Sequence, residues 1–144
     1  MAVSMMQYER KPNAISLVIP SQLSTAADVL REAGAFFAEQ GTTSPGVMIV
    51  LRELLMNAVV HGNRRDPYQH VYVDVEKCLD GIFRITVEDE GEGFDYRELD
   101  LALPEGASRI RERGYKLINA FSEKLEFNQE GNKITAFVRA LNGV

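Results

Sequence analysis

Three polar side chains recur at four-residue steps within a largely apolar segment: Glu53, Asn57 and His61. In a helix, this spacing places them in one row along one side. An amide oxygen suits Mg2+ when water and substrate phosphates complete the ligand set, and a carboxylate one turn earlier can serve as a general base. The row therefore predicts metal binding at Asn57 and proton transfer at Glu53, with a solvated helix edge as the alternative.

A second polar segment, residues 89–93, reads Asp-Glu-Gly-Glu-Gly. Asp89 shares the parity of the apolar residues in the alternating segment before it, so a strand there would point its carboxylate inward. An inward carboxylate needs hydrogen-bond donors, and an adenine amino group is one. Gly91 and Gly93 would let the backbone approach a flat base closely. The alternative is an ordinary turn, in which Asp–Gly clusters are common.

Helices are predicted on either side of these segments, where apolar residues recur at steps of three and four. They run from about Ser21 to Gly41, from about Pro45 to His61, and from about Gly114 to Ser122. The face that we expect the first helix to bury consists of Leu23, Ala26, Ala27, Leu30, Ala33, Phe37 and Ala38. For the second helix it consists of Val47, Leu51, Leu54, Leu55 and Ala58.

Alternating apolar residues predict strands at 15–19, 71–75, 83–87, 125–127 and 134–138. The polar segment 90–113 has a length typical of a functional loop. The order is one strand, two helices, two strands, the loop, a helix and two strands. It predicts an α+β fold, a two-layer sandwich with helices on one face of a mixed, mostly antiparallel sheet.

Composition restricts the class of protein. The 144 residues fit one domain, 1–144, in which we expect residues 1–12 to be flexible, and 45% hydrophobic with 26% charged residues is typical of a soluble globular protein. One cysteine cannot form an internal disulfide, and no segment is apolar enough for a membrane span. These features predict a cytoplasmic protein. A net charge of −5 disfavours direct binding of nucleic acid.

Taken together, the two polar segments resemble the paired motifs of the GHKL ATPases. Residues 53–63, Glu-Leu-Leu-Met-Asn-Ala-Val-Val-His-Gly-Asn, are similar to the N box, and residues 89–95, Asp-Glu-Gly-Glu-Gly-Phe-Asp, are similar to the G1 box. Within that superfamily, this pair is similar to the bacterial anti-sigma-factor serine/threonine kinases. The resemblance covers about residues 15–138 and implies a Bergerat-type ATP-binding fold that takes ATP and Mg2+.

The resemblance implies a role for each residue of the first motif. Asn57 matches the asparagine that binds Mg2+. Glu53 matches the proposed catalytic base that activates the hydroxyl of the partner. His61 and Gly62 match residues close to the phosphates.

For the second motif and the last strand, the resemblance implies contacts with the base. Asp89 matches the carboxylate that reads the adenine amino group, and Gly91 and Gly93 match the glycines that shape the base pocket. Thr135 matches a threonine that helps to hold the base, although the β-propensity of threonine equally accounts for it.

The lid segment departs from the family pattern. Where the family has Gly-x-Gly before a hydrophobic helix, this chain has Glu112, Arg113 and Gly114. A carboxylate beside a helix N-terminus repels phosphate, so we expect weaker ATP binding, weaker phosphoryl transfer, or both. We assign Arg113 and Gly114 to the nucleotide site, and the spacing leaves Arg109 and Arg111 as alternative contacts for the γ-phosphate.

The resemblance implies a protein kinase that phosphorylates an anti-anti-sigma partner of the STAS type and sequesters a sigma factor, acting as a homodimer. The alternative is a partner-switching module that binds nucleotide weakly or lacks catalysis. A third function is interaction alone in a phosphorelay or phosphatase-linked pathway. Glu53 and Asn57 favour the kinase, and Glu112 favours the second function.

Overall fold

Six strands form one open sheet. The structure, a computed structural model, describes residues 7–93 and 110–140, with side chains from Arg113 onward in the second range. The strands are β1 (Gln7–Lys11), β2 (Ala14–Pro20), β3 (His70–Lys77), β4 (Ile82–Glu88), β5 (Lys124–Phe127) and β6 (Lys133–Arg139). They lie in the order β1-β2-β3-β4-β6-β5, and every neighbouring pair is antiparallel.

The described helices are α1 (Leu23–Glu39), α2 (Pro45–Met56) and α3 (Ile110–Phe121). α2 begins with a proline in its first turn, where the missing N–H costs no helical hydrogen bond. It continues without interruption into a π-helical turn, Asn57–Gly62. Within the described part of the chain, no helix is both long and apolar enough to cross a membrane.

The core lies between the helices and one face of the sheet. Alternate residues of β2, β3, β4 and β6 point into it, because successive side chains of a strand face opposite sides. The buried strand residues are Ile15, Leu17, Ile19, Val71, Val73, Val75, Phe83, Ile85, Val87, Ile134, Ala136 and Val138. The predicted α+β sandwich is confirmed, and so is the buried stripe predicted for the second helix.

Two expectations about the sheet are corrected. Residues 7–11, expected to be flexible, form the edge strand β1, which pairs with β2. β1 is polar on both faces, so its sequence lacks the alternation that identifies a strand. It is held by backbone pairing and by Arg10, whose guanidinium lies 4.7 Å from the ring centroid of Phe36. The sheet is antiparallel throughout the described residues and not mixed.

The buried face of α1 is also rotated from the predicted one. Val29 and Phe36 are buried, whereas Leu23, Ala27 and Ala38 are exposed. Phe36 packs edge-on against neighbouring aromatic rings, with centroids 5.8 Å away for Phe37 and 6.3 Å away for Phe83. The face that α1 buries therefore includes both phenylalanines, which pack with Phe83.

Candidate functional site

The π turn occupies the first polar motif. Asn57–Gly62 forms one wide helical turn directly after α2, and such turns are frequent at functional sites. In the row predicted from four-residue spacing, the side chain of Glu53 is 18% exposed, Asn57 is 6% exposed, and His61 is exposed. The amide of Asn57 and the carboxylate of Glu53 therefore lie largely below the protein surface.

The second motif packs against the end of this turn. One carboxylate oxygen of Asp89, Oδ1, accepts the backbone N–H of Gly91 at 2.8 Å. A Cβ on Gly62 would overlap the Asp89 carboxylate, and a Cβ on Gly91 would overlap the carbonyl of Gly62. Glycine is therefore required at both positions for the two motifs to touch.

A cavity of about 330 Å³ opens where the motifs meet. The predicted site residues that line it are His61, Gly62, Asp89, Gly91 and Gly93. Gly93 has a φ of +83°, and a Cβ there would overlap the carbonyl of Glu130 in the β5–β6 turn. Five of the predicted residues are thus brought to one cavity, with Asp89 in its wall.

The β5–β6 turn closes the third side of the cavity. Asn132 fixes this turn to Asp89, because the Asp89 N–H donates to the Asn132 carbonyl at 2.9 Å and Asn132 Nδ2 donates to the Asp89 carbonyl at 3.1 Å. Both backbone groups of Asp89 are therefore held, which restricts the direction of its side chain.

Thr135 does not reach this cavity. It pairs with Thr86 in the sheet register, and the two hydroxyl oxygens lie 3.2 Å apart. Both line a separate depression on the sheet face opposite the helices. Because Ile134 and Ala136 are the inward residues of β6, strand alternation turns Thr135 outward. The expected contact between Thr135 and a base at Asp89 is corrected.

A second part of the site lies where α3 crosses α2. A Cβ on Gly114 would lie 2.7 Å from Glu53 Oε1 and 4.0 Å from Asn57 Nδ2, so the helix backbone rests on both side chains. Glu53 Oε2 accepts from Arg52 Nη1 at 3.2 Å. Asn57 Nδ2 is buried and has no hydrogen-bond partner among the described residues. Neither Glu53 nor Asn57 lines the cavity at Asp89, and the π turn connects the two parts.

The donor set at Asn57 fits Mg2+ only when phosphates complete it. No group of three or more His, Cys, Asp or Glu side chains that could hold a metal ion occurs in the described ranges. The buried amide of Asn57, with its nitrogen unpaired, offers one oxygen ligand for a hard cation or one donor for a phosphate. Donation to a phosphate would satisfy the unpaired nitrogen, whereas a cation would use the oxygen of the same amide.

Part of the lid lies outside the described residues. This concerns Phe94 and Asp95 of the second motif, Arg109, and the side chains of Arg111 and Glu112. α3 begins at Ile110, four residues before the predicted start, so the lid position of Glu112 belongs to its first turn. Arg113 is exposed on the same helix.

The sequence reasoning assigned no site role to six further residues of the cavity wall. They are Asn63, Arg64, Asp66, Gln69, Glu92 and Gly131. Asn63 is buried, with 2% of its surface exposed, and it directly follows the last glycine of the first motif. The position of Asn63 just after the predicted end of the helix could have identified it, because an asparagine there commonly forms hydrogen bonds with nearby backbone groups.

The fold and the two joined motifs define the class of the protein. Residues 19–138 match the histidine kinase-like ATPase domain, and the chain belongs to this GHKL-type family. Over 49 residues the chain is 44% identical to an anti-sigma F factor of Heyndrickxia coagulans, an alignment that spans 34% of this chain and 33% of that protein.

A solved structure supports the fold. The chain is similar to the histidine kinase domain of the blue-light activated histidine kinase from Erythrobacter litoralis, with a TM-score of 0.51 and 18% identity. The match covers 83% of this chain and 61% of that one.

Proposed function

We propose that the protein is an ATP-dependent serine/threonine kinase and anti-sigma factor of the partner-switching kind. The observation that carries the proposal is the contact of Asp89 with Gly62, which joins a base-reading carboxylate to the turn that ends the Glu53–Asn57 helix. The similarity to an anti-sigma F factor supports the regulatory part.

The cavity would hold the base of ATP. The Asp89 carboxylate would accept from the adenine amino group, and Gly91 and Gly93 would let the backbone lie against the ring. The phosphates would extend past His61 and Gly62 towards α3, where Arg113 and Gly114 would contact them. In this arrangement the base end of the nucleotide would determine specificity, and the phosphate end would take part in the transfer.

The residues beneath α3 would perform the transfer. Asn57 would hold Mg2+, which neutralises charge on the phosphates when bound. Glu53 would accept the proton of a serine or threonine hydroxyl on the partner as that oxygen attacks the γ-phosphorus, the bond to the β,γ-bridging oxygen breaks and ADP leaves. The carboxylate is largely buried, and Arg52 lies within ion-pair distance of it at 3.2 Å.

The partner would be an anti-anti-sigma protein of the STAS type. A phosphate added to its interface would break the complex by repulsion and by the cost of desolvating a dianion. The kinase, as a cytoplasmic homodimer, would then be available to sequester a sigma factor. The acidic net charge of −5 agrees with a function that does not require contact with nucleic acid.

Phosphoryl transfer is tested with Mg2+ and γ-labelled ATP in the presence of candidate STAS proteins. The proposal expects label on a serine or threonine of one of them, with loss of transfer in Glu53→Gln. In Asp89→Asn, ATP binding should weaken and discrimination against GTP should fall, because an amide replaces an ionised acceptor. Equal binding of ATP and GTP by the parent would contradict the role of Asp89.

Glu112 favours a second function, a partner-switching module without effective catalysis. Its position in the first turn of α3 is where phosphate-facing N–H groups of the lid would be expected. Tight binding of a sigma factor without any labelled product would support this function over the kinase.

A further inference from the structure

We propose that Asn63 is a positioning residue that fixes the base-reading turn through a closed ring of hydrogen bonds with Glu90 and His70. This inference rests on the proposed nucleotide function of the cavity at Asp89. It assigns to Asn63 no contact with the nucleotide through its own polar atoms.

The Asn63 side chain uses both ends of its amide. Nδ2 donates to Ser21 Oγ at 2.6 Å and to the His70 carbonyl at 2.9 Å, and Oδ1 accepts the N–H of Glu90 at 2.8 Å. Both amide hydrogens are thereby used, and the residue is 2% exposed. It therefore acts through the groups that it holds.

Glu90 completes the ring from the other side. Its Oε1 accepts the N–H of His70 at 2.7 Å, so both backbone groups of His70 are bound, one by Glu90 and one by Asn63. Its Oε2 accepts the Tyr72 hydroxyl at 2.9 Å. The backbone N–H of His70 is the main reason why the pKa of Glu90 lies below its ordinary value, followed by the Tyr72 hydroxyl.

The ring stands directly behind the base-reading residue. Glu90 follows Asp89 in the chain, and the Asp89 carboxylate bonds the N–H of Gly91, so a shift of the Glu90 backbone would move both neighbours. Asn63 in turn follows Gly62, whose Cα is in contact with that carboxylate. The ring thus ties the end of the π turn, the start of β3 and the second motif at one point.

Three variants separate positioning from a contribution to stability. Asn63→Ala removes all three hydrogen bonds. Asn63→Asp keeps an oxygen to accept the Glu90 N–H but places the other oxygen against the His70 carbonyl. Ser21→Ala is the matched control, because it removes one bond of Asn63 and leaves the bond to Glu90.

The readouts are adenosine and tripolyphosphate affinity, hydrogen exchange of the Glu90 and Gly91 amides, and the unfolding midpoint. Asn63→Ala should weaken the binding of adenosine about tenfold and raise the hydrogen-exchange rates of both amides about tenfold. Its affinity for tripolyphosphate should stay within about twofold of the parent. Asn63→Asp should lower the midpoint yet keep adenosine within about threefold. Ser21→Ala should leave adenosine affinity and both amides within about twofold.

Several outcomes would overturn the proposal. Unchanged Gly91 exchange in folded Asn63→Ala would do so, as would adenosine affinity that merely follows the unfolding midpoint across the three variants. Failure of both Asn63 variants to fold would assign Asn63 to the stability of the fold instead. A parent that binds neither ATP nor adenosine would refute the proposed function, while the Gly91 exchange would still decide whether Asn63 positions the turn.

Discussion

Asn57 combines burial with an unmade hydrogen bond, which is an unfavourable arrangement in a protein without ligand. Leaving a buried polar group unpaired costs about 1–3 kcal/mol. Within the part of the chain that the structure describes, the nitrogen of this amide has no partner, and the residue is 6% exposed. A ligand that satisfies the amide would remove this cost, so the residue is better explained by binding than by stability.

The first prediction follows from this cost. Asn57→Ala should leave the unfolding free energy within about 1 kcal/mol of the parent, because the substitution deletes an unsatisfied group. It should weaken Mg-ATP at least about tenfold if Asn57 holds the cation. Calorimetry with Mg-ATP, beside urea unfolding, measures both. Parental affinity in the folded variant would remove Asn57 from the metal site.

A second prediction concerns Gly114. Alanine is favoured over glycine inside a helix by about 0.5–1 kcal/mol, but its Cβ here would come within 2.7 Å of Glu53 Oε1. The carboxylate is the flexible end of its side chain and can move aside. Gly114→Ala should therefore unfold no more easily than the parent, yet lose phosphoryl transfer on the order of tenfold, because the base is displaced.

Gly34→Ala is the matched control for Gly114→Ala. Gly34 lies in α1, and a Cβ there would meet only Met48 Cε at 4.0 Å, an ordinary contact. This variant should gain stability by about 0.5–1 kcal/mol and keep full transfer activity. An equal loss of activity in both variants would show that the effect does not come from Glu53.

At the scale of elements, periodicity predicted α2 well and its final turn poorly. The apolar stripe of α2 runs on into Ala58, which is buried in the π turn as it would be in an α-helix. One extra residue per turn changes the backbone hydrogen bonds without disturbing that stripe. The apolar periodicity therefore could not predict the widened turn, although the polar residues on it were identified.

For Thr135 in the last strand, strand alternation was a better guide than the resemblance to a family motif. The alternation of Ile134, Ala136 and Val138 already assigns Thr135 to the outer face. The resemblance to a family segment implied a contact between Thr135 and the base instead. Asp89 was placed by alternation, and the structure brings it to the cavity wall. Parity within a strand is thus the better guide to which side chains can meet.

The prediction that belongs to α3 concerns its first turn. If the charge and bulk of Glu112 keep this end of the helix from accepting phosphate, Glu112→Gly should tighten ATP binding and raise transfer. Adenosine binding should change little, since adenosine reports only the cavity at Asp89. Titration of each variant with both ligands measures the difference. Equal ATP affinity in parent and variant, with ordinary transfer by the parent, would make Glu112 harmless.

For the whole molecule, Glu90 links stability to pH. Its pKa is lower in the folded state than the ordinary value of 4.5, mainly because the His70 N–H stabilises the carboxylate. A lowered folded pKa adds stability above 4.5 that is lost as the pH falls through the folded value. The parent should therefore lose more unfolding free energy than Glu90→Gln when the pH drops below 4.5.

Urea unfolding of parent and Glu90→Gln at several pH values tests this dependence. The other carboxylates titrate in both proteins, so the difference between the two curves isolates Glu90. Parallel curves across the acid range would show that the carboxylate is no better stabilised in the folded chain than in the unfolded one.

The pairing of β4 with β6 joins two strands that are neighbours in the sheet but far apart in the chain. These neighbouring strands are separated in the chain by residues 89–132, which include the whole segment between the second motif and α3. The entropy cost of closing a connection between two strands rises by only about 0.6 kcal/mol for each doubling of its length. Insertions or deletions between Gly93 and α3 would therefore cost the sheet little, and this segment could change in length while the residues of the cavity wall are kept.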